Sequence, residues 1–158
     1  MIKKSLKAFM RESVKNGEIV TAPGPDTIKD ESGNIVMLEF RVMSIDEQEE
    51  IRKSYENRTI ALDKSGKPII SDGQLVYTTD PDIYKASRHM IVESLVYPNL
   101  RDPELMKFYN CIDVTEMPNK VFTRKELDFV TKAFNTAHGF GETAEQKKDA
   151  ELIAEAKN

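Results

Sequence analysis

The stretch Val96-Tyr97-Pro98-Asn99-Leu100-Arg101-Asp102-Pro103-Glu104-Leu105 stops one apolar helix and starts the next within ten residues. A residue before proline is pushed out of the α region, so Tyr97 predicts that the preceding helix ends near Val96. Asp102 offers a side-chain acceptor to the free N–H groups of the new helix, and Pro103 suits its first position with φ already set. Glu104 adds favourable charge in the first turn. The stretch predicts two helices joined at a stiff corner. It contains no reacting group.

The rest of the chain is equally poor in chemistry, with two histidines and one cysteine among 158 residues. His89 and His138 are expected to lack a partner at metal-ligand spacing. The lone Cys111 excludes a disulfide within the chain and a zinc site built on thiolates. It also fits a reducing cytosol better than secretion. Neither covalent catalysis nor a bound cofactor or metal is expected. The length suits one domain that buries roughly 70% of its unfolded surface. With 39% apolar residues the chain can build a core, while 32% charged residues keep its exterior solvated. The net charge of −4 argues against bulk attraction to nucleic acid. No apolar run approaches the ~20 residues that a membrane span needs. Met1-Ile2-Lys3-Lys4 has the charge of a signal peptide's start, but Lys7, Arg11 and Glu12 interrupt any apolar segment after it. These features predict a soluble, cytoplasmic protein with no membrane partner.

Residues 5–15 place Leu6, Phe9, Met10 and Val14 at helical spacing, with Lys7, Arg11 and Lys15 on the other side and Asn16-Gly17 as the stop. Residues 21–26, with two prolines and a glycine, read as an extended linker. After the turn signal Asp30-Glu31-Ser32-Gly33-Asn34, Val36, Leu38, Phe40 and Val42 alternate with Met37, Glu39, Arg41 and Met43. That predicts a half-buried strand over 35–43. Ser44 and Glu47 form a capping-box pair that opens a short charged helix to about residue 57. Residues 59–78 carry turns at 63–67 and at Asp72-Gly73, and predict a β-meander or a pair of hairpins. From Asp80, expected as a cap with Pro81 behind it, the chain is predicted helical to its end. The first of these helices carries Tyr84, Met90, Ile91, Val92 and Leu95, and the second starts at Asp102. The third opens on a capping box of Thr123 and Glu126 and has the core stripe Leu127, Val130, Phe134 and Ala137; the last opens at Thr143 and Gln146. The fold class is α+β: small N-terminal antiparallel hairpins or a meander, then a mainly helical C-terminal half.

Residues 142–158 differ from the other helices. They hold five acids and three lysines, and their larger apolar side chains are only Leu152 and Ile153. Helicity there rests on capping and propensity, which are marginal at this length. Residues 1–141 are therefore expected to form a single α+β domain, with 142–158 as a charged, loosely packed C-terminal helix or arm.

Several short patterns have a plainer explanation than the chemistry they suggest. Lys64-Ser65-Gly66-Lys67 has alanine at position 61, where a phosphate loop needs its first glycine, and Pro68 where it needs Ser or Thr. Asp63 and Ser65 lack the further acids of a calcium loop. Both read as a turn. Asp80 and Asp82 around Pro81 suit a helix N-terminus. His89 reads as an interface or surface histidine. His138, before Gly139-Phe140-Gly141, is placed to cap a helix C-terminus as an imidazolium. The stripe Lys3, Lys4, Lys7, Arg11 and Lys15 is either the solvated back of the first helix or a surface for phosphate or an acidic partner. Asn57-Arg58-Thr59 is a sequon without a secretory signal.

With no reaction to follow, the order of elements carries the argument. It runs Ser5-Leu6-Lys7-Ala8-Phe9-Met10, Ile35-Val36-Met37-Leu38-Glu39-Phe40-Arg41-Val42, the capped acidic helix at Ser44, and Val96-Tyr97-Pro98-Asn99-Leu100. Asp102-Pro103-Glu104-Leu105, Phe108-Tyr109-Asn110, Ala137-His138-Gly139-Phe140 and Glu155-Ala156-Lys157-Asn158 follow. This ordered set resembles the tail assembly chaperones of long-tailed and contractile phages and of prophage-derived elements. It departs from them at Met117-Pro118-Asn119-Lys120-Val121-Phe122-Thr123, where members usually carry a Leu-rich, glutamate-containing segment. The resemblance implies a non-enzymatic protein of the host cytoplasm, absent from the mature virion. Such a chaperone would coat the tape measure protein, keep it soluble and help tail tube subunits gather around it. It also implies a longer form, made by ribosomal slippage at Ala156-Lys157-Asn158, that would contact the tail tube protein. Amphipathic helices suit apolar helical stripes, and many copies, with some self-association, would gain from multivalency. The expected contact residues are Leu152 and Ile153, with Lys7 and Arg11. The competing readings are a structural virion subunit, such as a tail-tube or connector component, and a small regulator or enzyme.

Overall fold

In a computed structural model of the chain, residues 6–10, 17–140, 152, 153, 155 and 156 are described. The central strand is the one whose alternation is plainest. In β2 (Met37–Arg41) Leu38 and Phe40 are buried, whereas Met37 faces solvent. The alternation fails beyond it, since Met43 is buried and Val42 only half-buried. β2 pairs antiparallel on one side with β1 (Ile19–Pro23), which occupies part of the stretch expected as a linker. Proline is tolerated there because Pro23 ends an edge strand. Gly24 follows and donates its N–H to the Val36 carbonyl at 2.9 Å. A Cβ at Gly24 would stand 2.5 Å from that oxygen, so the approach requires glycine.

Ser44 caps α1 (Ile45–Ser54) by accepting the Glu47 N–H at 3.1 Å. Glu47 does not complete the box; its carboxylate takes two hydrogen bonds from Arg41 instead, at 3.1 and 2.7 Å. The helix stops short of residue 57 because β3 (Glu56–Ile60) begins there. Beyond it come β4 (Ile70–Ser71), β5 (Gln74–Leu75) and β6 (Tyr77–Pro81). β3 pairs with β6 and β4 with β5, a ribbon of hairpins as expected. At its 63–67 turn the Asp63 carboxylate accepts the Ser65 and Lys67 N–H groups, each at 2.9 Å. Asp80 and Pro81 belong to β6, opposite Asn57 and Glu56, so the cap of the next helix falls to Asp82 and not to Asp80.

α2 (Ile83–Ser94) sends Ala86, Met90, Ile91 and Val92 into the core, while Tyr84 points to solvent. Its chain does not pass directly into the corner. It first forms β7 (Leu95–Tyr97), which joins β2 across a bulge and completes a sheet in the order β1-β2-β7. The Tyr97–Pro98 bond is cis. Asp102 then caps α3 (Pro103–Phe108), accepting from Glu104 and Leu105 at 2.9 and 3.3 Å, with Pro103 at the start. A single 3-10 turn (Val114–Glu116) and α4 (Met117–Val121) follow. α5 (Arg124–Ala137) opens on the expected reciprocal capping box of Thr123 and Glu126. One core lies under the sheet, where Leu38 and Phe40 meet Met90 and Ile91 of α2, Met117 of α4, and Val130 and Phe134 of α5.

The first predicted helix is corrected in its described part. Lys7–Phe9 is one 3-10 turn, and at Met10 (φ −84, ψ 68) the backbone leaves the helical region. Leu6, Phe9 and Met10 are exposed rather than packed. Residues 11–16 lie outside the described residues, as do the proposed cap residues Thr143 and Gln146.

Candidate partner-binding surface

Helix α2 has more apolar surface than the core takes up. Ile83, Ser87 and Ile91 stand four residues apart and so form one row along the helix. Facing α5, this row floors two hollows of about 590 and 570 Å³. Ile83, Ser87, Ile91 and Thr131 line both, so the two make one groove between the helices. At one end stand Phe134, Phe140 and Arg52; at the other, Phe122, Leu127, Arg88 and Arg124. Ile83 is 66% exposed and Phe140 56%, large apolar groups left to water at the groove's edge. The lining holds three arginines, Arg52, Arg88 and Arg124, against Glu56 and Asp128. An open, elongated apolar trough of this kind suits an amphipathic helix laid along it.

The groove's end is set by the way α5 closes. The Gly139 N–H reaches the Thr136 carbonyl at 3.1 Å and the Phe140 N–H reaches Asn135 at 2.7 Å, with Gly139 at φ +82. This paired pattern satisfies the last carbonyls and fixes Phe140 beside the groove. His138 contributes in a different way from the one expected. Its Nε2 accepts the Met43 N–H at 2.9 Å, and Nδ1 lies 2.9 Å from the Phe134 carbonyl. The first bond needs a lone pair on Nε2, so the ring is neutral with its proton on Nδ1, donated to Phe134. It caps the helix, but not as an imidazolium.

A second arrangement has the outline of a catalytic relay. Tyr55 Oη is 2.7 Å from His89 Nδ1, and His89 Nε2 is 3.4 Å from Glu93, which also pairs with Arg101. Glu93 stands four residues beyond His89, a spacing the sequence reading passed over. Burial pushes the Tyr55 hydroxyl up, which favours its neutral form. None of the three lines the groove. The network ties the end of α1 to α2. Among the described residues there is no group of three or more His, Cys, Asp or Glu that could hold a metal ion. No helix among them is long and apolar enough to cross a membrane.

The four expected contact residues are placed as follows. Leu152 and Ile153 have helical backbone and are 63% and 58% exposed. Lys7 lies in the N-terminal 3-10 turn, and Arg11 lies outside the described residues. No common patch of the four is therefore described. The groove itself was missed. Ile91 could be read as core, and Ile83 was passed over; the only hint was their eight-residue interval with Ser87 between them.

Against this geometry, the family model of the phage XkdN-like tail assembly chaperone protein matches residues 6–157. A crystal structure of the protein yqbn superposes with a TM-score of 0.60 at 20% identity, covering 89% of this chain and 99% of that one. At that identity the likeness speaks for the fold. No curated protein matches.

Proposed function

The chain belongs to the phage XkdN-like tail assembly chaperones, and on that premise we propose that it binds the tape measure protein, keeps it soluble and promotes assembly of the tail tube around it. The observation that carries this reading is the α2–α5 groove, with its apolar floor and its uncovered Ile83 and Phe140. A tape measure is a long helical protein, and its apolar stripes would aggregate if left in water. Laid in the groove, such a stripe is buried by helix-in-groove contact, and successive copies along one tape measure gain by multivalency. Leu152 and Ile153 add an apolar pair to the contact, and Lys7 and Arg11 a basic one. Residues 1–141 serve as the folded body and 142–158 as the arm. The protein acts in the host cytoplasm and leaves before the virion matures. It needs no cofactor and performs no reaction.

The tail tube protein enters through a longer form. Ala156-Lys157-Asn158 can be encoded GCA-AAA-AAC, which contains the heptamer A-AAA-AAC, and a one-base backward slip on that heptamer would append a tube-binding extension after the arm. Sequencing those codons and fusing a reporter in the minus-one frame checks this. Codons that break the heptamer exclude it.

Co-expression tests the main reading. With the chain present, the tape measure protein encoded beside it should move from the pellet to the supernatant and co-purify with the chain. Purified particles should lack the chain. Recovery of the chain in stoichiometric amount from particles would favour a tail-tube or connector subunit instead.

A further inference from the structure

We propose that the ribbon from β3 to β6 carries an interaction surface of its own, a ring of six apolar side chains that packs face to face against the same ring of a second copy of the chain. The inference does not depend on the client named above. Three hairpins meet at Ala61, Ile69 and Val76. The Ala61 N–H donates to the Val76 carbonyl at 2.8 Å, that of Val76 to Ile69 at 3.0 Å, and that of Ile69 to Ala61 at 2.9 Å. Side chains alternate along a strand, so the neighbours of these three turn to the opposite face. There Ile60 pairs with Tyr77, Leu62 with Pro68 and Ile70 with Leu75. Paired residues share a face, as do residues two apart, so the circuit Ile60, Leu62, Pro68, Ile70, Leu75, Tyr77 closes on itself. All six are exposed, Leu62 by 59% and Ile70 by 65%, whereas Ala61 behind them is buried. None of the six lines the α2–α5 groove.

Shape, area and charge select the occupant. An apolar sheet face left to water is one layer of a two-layer structure, and another sheet face packs on it at about 10 Å. The six side chains leave on the order of 500 Å² to water, so two rings together cover about 1,000 Å², the size at which specific interfaces begin. Residues 56–81 hold Arg58, Lys64 and Lys67 against Glu56, Asp63, Asp72 and Asp80, so two copies meet close to charge balance. The signs are also separated around the ring. The 63–67 turn carries Lys64 and Lys67, with the Asp63 carboxylate taken up by the turn's own N–H groups, whereas the next turn carries only Asp72. A two-fold contact that sets one turn over the other pairs opposite charges. Arg58 lies 4.0 Å over the Tyr77 aromatic face and makes part of the polar rim. The pairing uses no residue of the groove floor, so one dimer offers a helical client two grooves.

Sedimentation equilibrium of the full-length chain over a concentration series tests this without the client. The unaltered chain and Ile112→Asp should both rise to the dimer mass, while Leu62→Asp with Ile70→Asp should stay at the monomer mass. A dimer formed equally well by the double variant would put the interface elsewhere and overturn the proposal. An unaltered chain that stays monomeric at every concentration overturns it too. A second measurement needs no substitution: methyl-labelled chains are mixed with unlabelled ones, and nuclear Overhauser cross-peaks between chains are sought. Cross-peaks at the Leu62, Ile70 and Leu75 methyls are the expected result. Their absence, with the same methyls shifting only when a tape measure fragment is added, would give the ring to that client and overturn the proposal.

Discussion

His138 links two parts of the fold through three contacts of one ring. Nδ1 serves the end of α5, Nε2 serves the backbone at Met43 beyond β2, and the ring lies against Phe134 with centroids 4.1 Å apart. Met43 is 3% exposed, so its N–H has little access to water if the acceptor is removed. His138→Ala should therefore cost ~1–3 kcal/mol of unfolding free energy in urea titrations; an unchanged midpoint would mean the Met43 N–H has found another partner. Arg41 and Glu47 make a different kind of link. Hydrogen bonding from Arg41 holds the Glu47 carboxyl below the ordinary range, with burial opposing it. The unfolded chain thus takes up this proton at a higher pH than the folded one. The contribution is complete above the ordinary glutamate value of ~4.3 and is lost as pH falls through the lower folded value. The two side chains are 33% and 34% exposed, which keeps the effect within ~1 kcal/mol. In unfolding measured from neutral pH downward, Glu47→Gln should flatten the acid-side loss of stability. An acid limb identical to that of the unaltered chain would show the pair to be idle.

At the scale of elements, the corner after β7 shows what local chemistry decides. Asp102 holds two N–H groups at the start of α3, and Asp102→Ala should destabilise the chain by ~0.5–2 kcal/mol. Thermal unfolding reads this directly, and a loss near zero would mean that packing of Leu105 and Met106 alone sets the helix. Asp102, Thr123 and Ser44 were legible as caps because each acts within three residues of itself. The inner face of β2 was legible because burial of Leu38 and Phe40 imposes the two-residue period. β7 was not, since Leu95, Val96 and Tyr97 are a strand only by virtue of β2 beside them. β1 was hidden by Pro23, which an edge position tolerates. Asp80 looked as good a cap as Asp82 until the pairing of β6 with β3 claimed it. The groove lay furthest from reach, because Ile83 and Ile91 are exposed or covered according to where α5 lies, and no local pattern specifies that.

For the molecule as a whole, the account places a sheet, a core and a capped α5 in the service of one uncovered trough. The ribbon from β3 to β6 adds further exposed apolar groups, Ile60, Leu62, Ile70, Leu75 and Tyr77, but of residues 56–80 only Ala61 is buried, so it has no core of its own. Two-stranded ribbons are marginal alone, and this one depends on the body that carries it. The trough is different, because Ile91 in its floor is part of the core, while Ile83 and Phe140 can be altered without touching that core. Ile83 and Phe140 are both more than half exposed, so charging them should leave the fold intact. Ile112, 97% exposed and outside the groove, serves as the matched control. The most direct measurement is the fraction of tape measure protein that stays in the supernatant when co-expressed with each variant. The account predicts that Ile83→Asp with Phe140→Asp returns the tape measure to the pellet, while Ile112→Asp solubilises it as well as the unaltered chain does. Full solubilisation by the doubly charged variant, confirmed folded by circular dichroism, would contradict the account.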